Sequence, residues 1–501
     1  MIWHELSQSA PYLDWAGKYP YMYVHVDVSF DFISAVVNYV AATGDQGFVT
    51  SNWPSIARAY EYCLSVINPQ DGLPRIASGK EGGNEQRQLS DELRLSGSWV
   101  AAAEGYAELA TLTGHSADAA AALAAAQKAR AAIAKRYWSA KDNFWISGYT
   151  RSGTPFIDKG LGSIGAVAQR LFTQPQLDLA LEQVAASDYQ TDWGTRSVPR
   201  GVAEYDPNSY ASGSVWAIGT ASAASAFWSQ HQPDSAYSIW STLPQWTALD
   251  SLGHMHEAAA GDFYHEQLES VPEQTWSSSS FLTAAVHGLL GLSAETSGLI
   301  AFSPHLPSAW NSVSIKNIRL RRSEFDASVA QNEDNVTLDL LNHGDAFRLL
   351  FAPEIPLGAR ILSARLGNKP VKVSAQKNAA DEHASVDIVV PTGTTHLTIR
   401  YTGGVSLLPT TKHDLVGDPS SGVRIIKTAL SGDTYKVLVD FKPGPTSTIQ
   451  FRTAWKVRDV RGAAFRLVRP DVYALDFSTV SVPGDPQRYR RATAVIRFAG
   501  R

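Results

Sequence analysis

In a chain of 501 residues, 44% hydrophobic and 18% charged side chains give the profile of a soluble globular protein too long for one ordinary core, so two or three domains are expected. Lys+Arg number 43 and Asp+Glu 48, a net charge of −5 with both signs scattered, which excludes the basic stripe of a nucleic-acid binder. No apolar run approaches the roughly 20 residues that span a bilayer, and the single Cys63 rules out an intrachain disulfide or a cysteine zinc site.

The first ~295 residues read as helices by periodicity. Phe30, Ile33, Val37 and Val40 form one stripe, stopped by Gly44, which accepts a positive φ just past a helix. Trp53-Pro54 is expected to open a second helix, with Ile56, Tyr60, Cys63 and Ile67 on one face. Residues 91–112 make a third, and an Ala-rich fourth runs from Ser116 to Tyr137. Further helices are expected near 160–173, 175–186, 211–230, 232–242 and 246–259. The last, over 278–292, would turn Leu282, Ala285, Val286 and Leu289 inward. Long polar and aromatic loops lie between them (68–90, 138–159, 187–210, 261–277), and long loops in compact domains tend to carry function. About ten helices with alternating short and long connections suggest an α/α toroid of helical hairpins, its long loops on one rim.

After Ser293 the apolar period changes to two, as in Val336–Leu340, Leu397–Tyr401, Tyr435–Phe441 and Ala494–Phe498, so residues 297–501 read as all-β. The expected organisation is a helical catalytic domain over 1–295, a β-sandwich domain over 296–408 and a second β-rich segment over 409–501, with a break near Pro409-Thr410.

Chemistry is sought in the loops. The chain carries 14 Trp, 19 Tyr and 18 Phe, and flat C–H faces of sugars stack on such rings, although composition alone favours their use as core bulk. The loop 261–277 holds Glu266, Glu269 and Glu273 beside Tyr264, His265 and Trp276. A carboxylate in an aromatic, water-poor cleft suits acid–base work on a glycosidic bond. Glu273, close to a helix start, equally suits the helix dipole. In the loop 79–92, Glu81 and Glu85 flank a Gly-Gly-Asn turn, while Asp91 and Glu92 read as N-terminal helix charges. A third cluster offers Trp193, Arg196, Tyr210 and Trp216, and a fourth places His4-Glu5 with Tyr21, Tyr23, His25 and Asp27. The 13 histidines form no HExxH, and His254 and His256 read as ordinary loop residues, so no metal and no cofactor are expected.

In order and spacing, several segments resemble the amylo-α-1,6-glucosidase (glycogen-debranching) type of (α/α)₆ six-hairpin glycoside hydrolase. They are His4-Glu5-Leu6-Ser7, Lys18-Tyr19-Pro20-Tyr21 to Asp27, Trp53-Pro54, Trp193-Gly194-Thr195-Arg196, Asn208-Ser209-Tyr210 with Gly213-Ser214-Val215-Trp216, and the Glu266 loop running into residues 287–292. Residues 302–310 resemble the passage into the C-terminal β domain of such enzymes, and the likeness covers roughly residues 1–320. It implies an inverting glycosidase with α-glucosides as the leading substrate. Glu85 would be the acid and Glu266 the base, Glu81 and Glu273 the reserves, and the carboxyls ~6.5–9.5 Å apart. Asp27, Trp193, Arg196, Tyr210 and Trp216 would line the subsite for the cleaved sugar, with Trp276 beside them. The chain departs from the pattern at Ala211-Ser212 and Ala217-Ile218, where relatives carry polar groups, and its barrel would begin late. A carbohydrate-binding scaffold without turnover, and a phosphorylase or lyase on the same fold, are the rival readings. The start Met1-Ile2-Trp3-His4-Glu5 has no signal-peptide pattern, although secreted or periplasmic residence is compatible with the resemblance.

Overall fold

The computed structural model describes residues 1–2, 23–84, 88–249, 253–408, 412, 414–444, 447–478 and 488–499. His4, Glu5, Tyr21, Glu85 and the Pro409-Thr410 break lie outside the described residues. Contacts divide the chain into two compact units, Met1–Ala180 with Glu295–Gly298, and Leu181–Ala294 with Leu299–Arg501.

The first unit holds α1 (Val28–Thr43), α2 (Gln46–Ser65), α3 (Leu93–Leu112), α4 (Ser116–Arg136) and the short α5 (Gly165–Ala168). α1 buries Phe30, Ile33, Val36 and Val40, and ends where Gly44, at φ 73°, donates its N–H to the Val40 carbonyl. α2 begins earlier than expected. The Asp45 side chain accepts from the Phe48 N–H and caps the helix at Gln46, leaving Pro54 inside it. Burial of Val49, Ile56, Ala59, Tyr60 and Cys63 carries the helix through the bond that Pro54 cannot make. α3 is buried over most of its length and packs on α4, whose inner face of Ala119, Ala122, Ala126 and Ala129 permits close approach. The helix expected over 160–173 contracts to a 3₁₀ turn at Leu161–Ser163 followed by α5.

α6 (Gln174–Val184) runs across the division, and the second unit continues with α7 (Ala217–Ser229), α8 (Pro233–Trp240) and α9 (Thr275–Ala284). No helix covers 246–259. A 3₁₀ stretch, Leu243–Ala248, gives way to extended chain, and Ala258–Ala259 pairs antiparallel with Val215–Trp216. α9 passes into a π turn, Ala285–Leu289, in which the Leu290 N–H reaches back to the Ala285 carbonyl. That wider turn rotates the buried face onto Ala284, Gly288 and Leu289, so Leu282 (59% exposed) and Val286 point outward rather than inward as expected.

Two β-sandwiches, each with its own core, complete this unit. In the first, the sheet ordered Ser312–Leu320, Ser323–Gln331, Asn335–Asn342, Gly393–Thr402, Arg360–Leu366 and Lys369–Pro370 shares a core with a second sheet. Alternation fixes the register of the first sheet: Val336 opposes Ile399 and Leu338 opposes Leu397, all four buried. The second sheet runs Glu354–Ile355, Glu382–Val390, Phe347–Phe351, Ile300–Phe302 and Leu292–Ala294. The second sandwich joins Val405–Leu408, Ser447–Thr453, Val472–Phe477 and Ala464–Arg469 to Arg424–Ser431, Thr434–Phe441, Arg490–Ala499 and Lys456–Arg461, over a core that includes Tyr435, Val437, Phe451 and Ile496. Among the described residues no helix is long and apolar enough to cross a membrane.

Candidate active site

The chemistry-bearing groups fall in both units, and each set is built locally. In the first, extended chain at Val24–Val26 pairs with Glu81: the Val26 N–H donates to the Glu81 carbonyl and the Glu81 N–H to that of Val24. This places the buried His25 with Nδ1 3.1 Å from the Gly82 carbonyl, 3.7 Å from Asp27 Oδ1, and Nε2 3.8 Å from Glu81 Oε2. Glu92 enters from the start of α3. Its backbone is extended, and its side chain caps no helix N–H but accepts from the Gly83 N–H instead. An added Cβ at position 82 would meet the Glu92 carboxylate and force it to shift. Glu92 is 2% exposed, and burial pushes its carboxyl up to about 7, against the opposing pull of the Gly83 N–H and Arg94. Burial and the nearby Asp27 raise Asp31 as well. A carboxylic acid that keeps its proton near neutrality can donate it. Asp91 does a different job: Arg136 binds it through two nitrogens at 2.9 Å and the Tyr137 hydroxyl donates at 2.9 Å, which locks the end of α4 to the base of α3.

In the second unit the chain between the 3₁₀ stretch and α9 carries Glu257, a residue that helical periodicity had hidden. The pairing of Ala258–Ala259 with Val215–Trp216 sets Glu257 beside the start of α7, where its carbonyl accepts from the Ala217 N–H. The Glu257 side chain is buried and lies 3.5 Å from the Val271 N–H. The Tyr210 hydroxyl donates to Glu257, and burial together with that bond raises the phenol, so it stays protonated. Trp216 meets Tyr210 edge-to-face with ring centroids 4.5 Å apart, and its indole N–H donates to the Tyr210 carbonyl at 2.9 Å. A lone carboxylate in a run of small apolar residues (Glu257 before Ala258, Ala259 and Ala260) was the available signal.

The other expected residues are placed as follows. Glu266 is half-buried, with its backbone bridged to Ala259 and its carbonyl accepting from His265 Nδ1 at 2.7 Å. Glu273 is 58% exposed and 3.7 Å from His254 Nδ1. Trp276 is 45% exposed at the start of α9. Trp193 is fully buried, donating to the Ala260 carbonyl at 2.8 Å and leaning on Tyr264. Arg196 is also buried, and its guanidinium serves the Gly261, Ser187 and Asp188 carbonyls at 2.8, 3.0 and 3.2 Å. Both therefore build the loop floor rather than a sugar-facing wall. The loop is held a second time by Asp262, which accepts from Arg200 at 3.0 Å and from the Tyr205 hydroxyl at 2.6 Å.

Comparison with known proteins supplies the class. A family model described as a mannosylglycerate hydrolase MGH1-like glycoside hydrolase domain matches residues 89–277, and one described as the C-terminal domain of glycosyl hydrolase family 65 matches residues 294–352. A structure titled sialidase is similar at 13% identity and a TM-score of 0.51, over 59% of this chain and 29% of that one. An α-L-rhamnosidase from Dictyoglumus thermophilum is similar at 14% identity and 0.50, over 76% and 41%. A GH63 mannosylglycerate hydrolase from Thermus thermophilus stands at 13% and 0.43, over 56% and 82%. The chain thus spans less than half the length of the first two. No curated protein matches it. The debranching-type resemblance gives way to a broader one, and residues 89–277 carry a domain of glycoside hydrolase type.

Proposed function

We propose that the chain is a glycosidase acting on a small glycoside, with Glu257 as the carboxylate that activates water. The observation that carries this reading is the buried Glu257 carboxylate, oriented by the Tyr210 hydroxyl beside the Trp216 ring. A base needs a carboxylate fixed in place, and the Tyr210 hydroxyl and the Val271 N–H hold Glu257 in this way. An inverting course is the expected stereochemistry. The matched mannosylglycerate hydrolase domain makes a sugar linked to a small hydroxy acid the first substrate to try, with α-glucosides second. The helical hairpins α1–α2, α3–α4 and α7–α8 support the six-hairpin toroid as the parent fold, and the two separately cored sandwiches support domain limits near 295 and 408.

A panel of mannosylglycerate, glucosylglycerate and α-glucosides, read by proton NMR for the first anomer released, tests the function. Glu257→Gln should lower turnover by at least about 1,000-fold with substrate binding kept, whereas Glu266→Gln should lower it by less than about 10-fold. The opposite ranking would return the base to Glu266. Sugar binding by the wild-type chain without release of product would favour the non-catalytic reading.

A further inference from the structure

Far from Glu257 in the sequence, three imidazoles of the second unit converge on one carboxylate oxygen. Asp381 is fully buried, and its Oδ2 lies 3.0 Å from His231 Nδ1, 3.2 Å from His383 Nε2 and 3.9 Å from His305 Nε2. Its other oxygen accepts from Asn378 Nδ2 at 2.6 Å, which fixes the carboxylate plane. His383 Nδ1 faces the Ala352 carbonyl at 2.7 Å, and His305 Nδ1 faces the Gly288 carbonyl at 2.9 Å. A carbonyl only accepts, so both Nδ1 atoms carry the hydrogen. In the neutral rings each Nε2 then presents a lone pair toward a carboxylate oxygen, a repulsion that either a proton on the ring or a metal cation between them removes. Histidines that ligate metal are commonly oriented this way, the second ring nitrogen donating to a carbonyl.

The spacing fits as well. Ligands at about 2.0–2.1 Å in a tetrahedron stand about 3.3 Å from one another, and the ligand atoms of His231, Asp381 and His383 all lie within 4.8 Å of each other. His231 takes φ 57° as the left-handed residue that closes α7, its N–H donating to the Trp228 carbonyl and that of Gln232 to the Phe227 carbonyl. Neither HExxH nor a cysteine motif announces such a set, because its members come from the end of α7 and the start of Glu382–Val390.

We propose that His231, His383 and Asp381 form a site for a first-row divalent metal ion, zinc being the ion that suits two imidazoles and one carboxylate at this spacing. The ion would tie the end of α7 to the start of Glu382–Val390, with His305 3.9 Å from the carboxylate oxygen and outside the ligand set. His231, at 25% exposed, is its outer ligand.

The test uses the full chain, produced without a polyhistidine tag. Elemental analysis should find about one equivalent of zinc, and the chelator-stripped chain should regain melting temperature on adding Zn²⁺. Co²⁺ should give the visible absorption of a tetrahedral complex. His231→Gln, the ligand change least threatening to folding, should weaken zinc binding by at least about 10–100-fold. His396→Gln, on the exposed His396–Asp339 pair, should change nothing. Background metal content with no melting shift from either ion overturns the proposal, leaving an imidazolium–carboxylate network. Equal zinc binding by His231→Gln and His396→Gln overturns it too.

Discussion

Glu92 shows how one side chain can be read correctly by type and wrongly by setting. From sequence it is a helix N-terminal charge; in the fold it turns back to the Gly83 N–H and is sealed from water. Its carboxyl is raised from 4.5 to about 7. The sign follows from linkage: below about pH 4.5 folded and unfolded states are both protonated, while above about 7 the folded state must hold a buried charge. Wild type should therefore lose about 3 kcal/mol of stability between those limits relative to Glu92→Gln, as urea titrations across pH would record. A variant whose stability follows the same pH curve as wild type would overturn the raised carboxyl. Glu257 was illegible for another reason. The run from His254 to Ala260 contains no β-branched or turn residue after Gly253, so periodicity placed it on a helix; its pairing with Val215–Trp216 is a long-range event that no local pattern announces.

At the scale of elements, punctuation misled where packing did not. The stripes on α1 and α2 were legible because Phe30, Ile33, Ile56, Tyr60 and Cys63 had to be buried whatever the exact ends. The start of α2 was not, since Pro54 mimics a first-turn proline while Asp45 is the working cap. A proline in that position leaves the Thr50 carbonyl without its helical donor. Pro54→Ala should raise stability by about 1–2 kcal/mol, the helix gain reduced by the freer unfolded chain, as measured by the midpoint of denaturant unfolding. An unchanged or lowered midpoint would mean that tertiary packing already absorbs the cost. The β-strands were the most legible elements, because period-two burial on one face specifies both strand and register, as Val336, Leu338 and Leu340 do.

At the scale of the second unit, the loop floor around Trp193 and the second sandwich are joined through Asp192. Burial alone would raise this carboxyl, but Arg424, the Ser421 and Gly422 N–H groups and Lys412 hold it down to about 2. Its stabilising effect is complete above about pH 4 and is lost as pH falls toward 2, a window in which Asp192→Asn should show no dependence of its own. At pH 7 that variant, which leaves Arg424 buried without its charge partner, should be destabilised by about 3–5 kcal/mol in calorimetry. A loss below about 1 kcal/mol would show that the N–H groups suffice. The Glu266 loop is tied to the same sandwich by its main chain, where the Tyr264 N–H donates to the Asp418 carbonyl and the Gly417 N–H to that of Tyr264. Those main-chain bonds have an evolutionary consequence. A module that finishes the hydrogen bonding of another module's working loop is not freely exchangeable, so the last sandwich and residues 261–267 must be inherited as one piece, and a chimera that swaps either alone would start from a loop without its template.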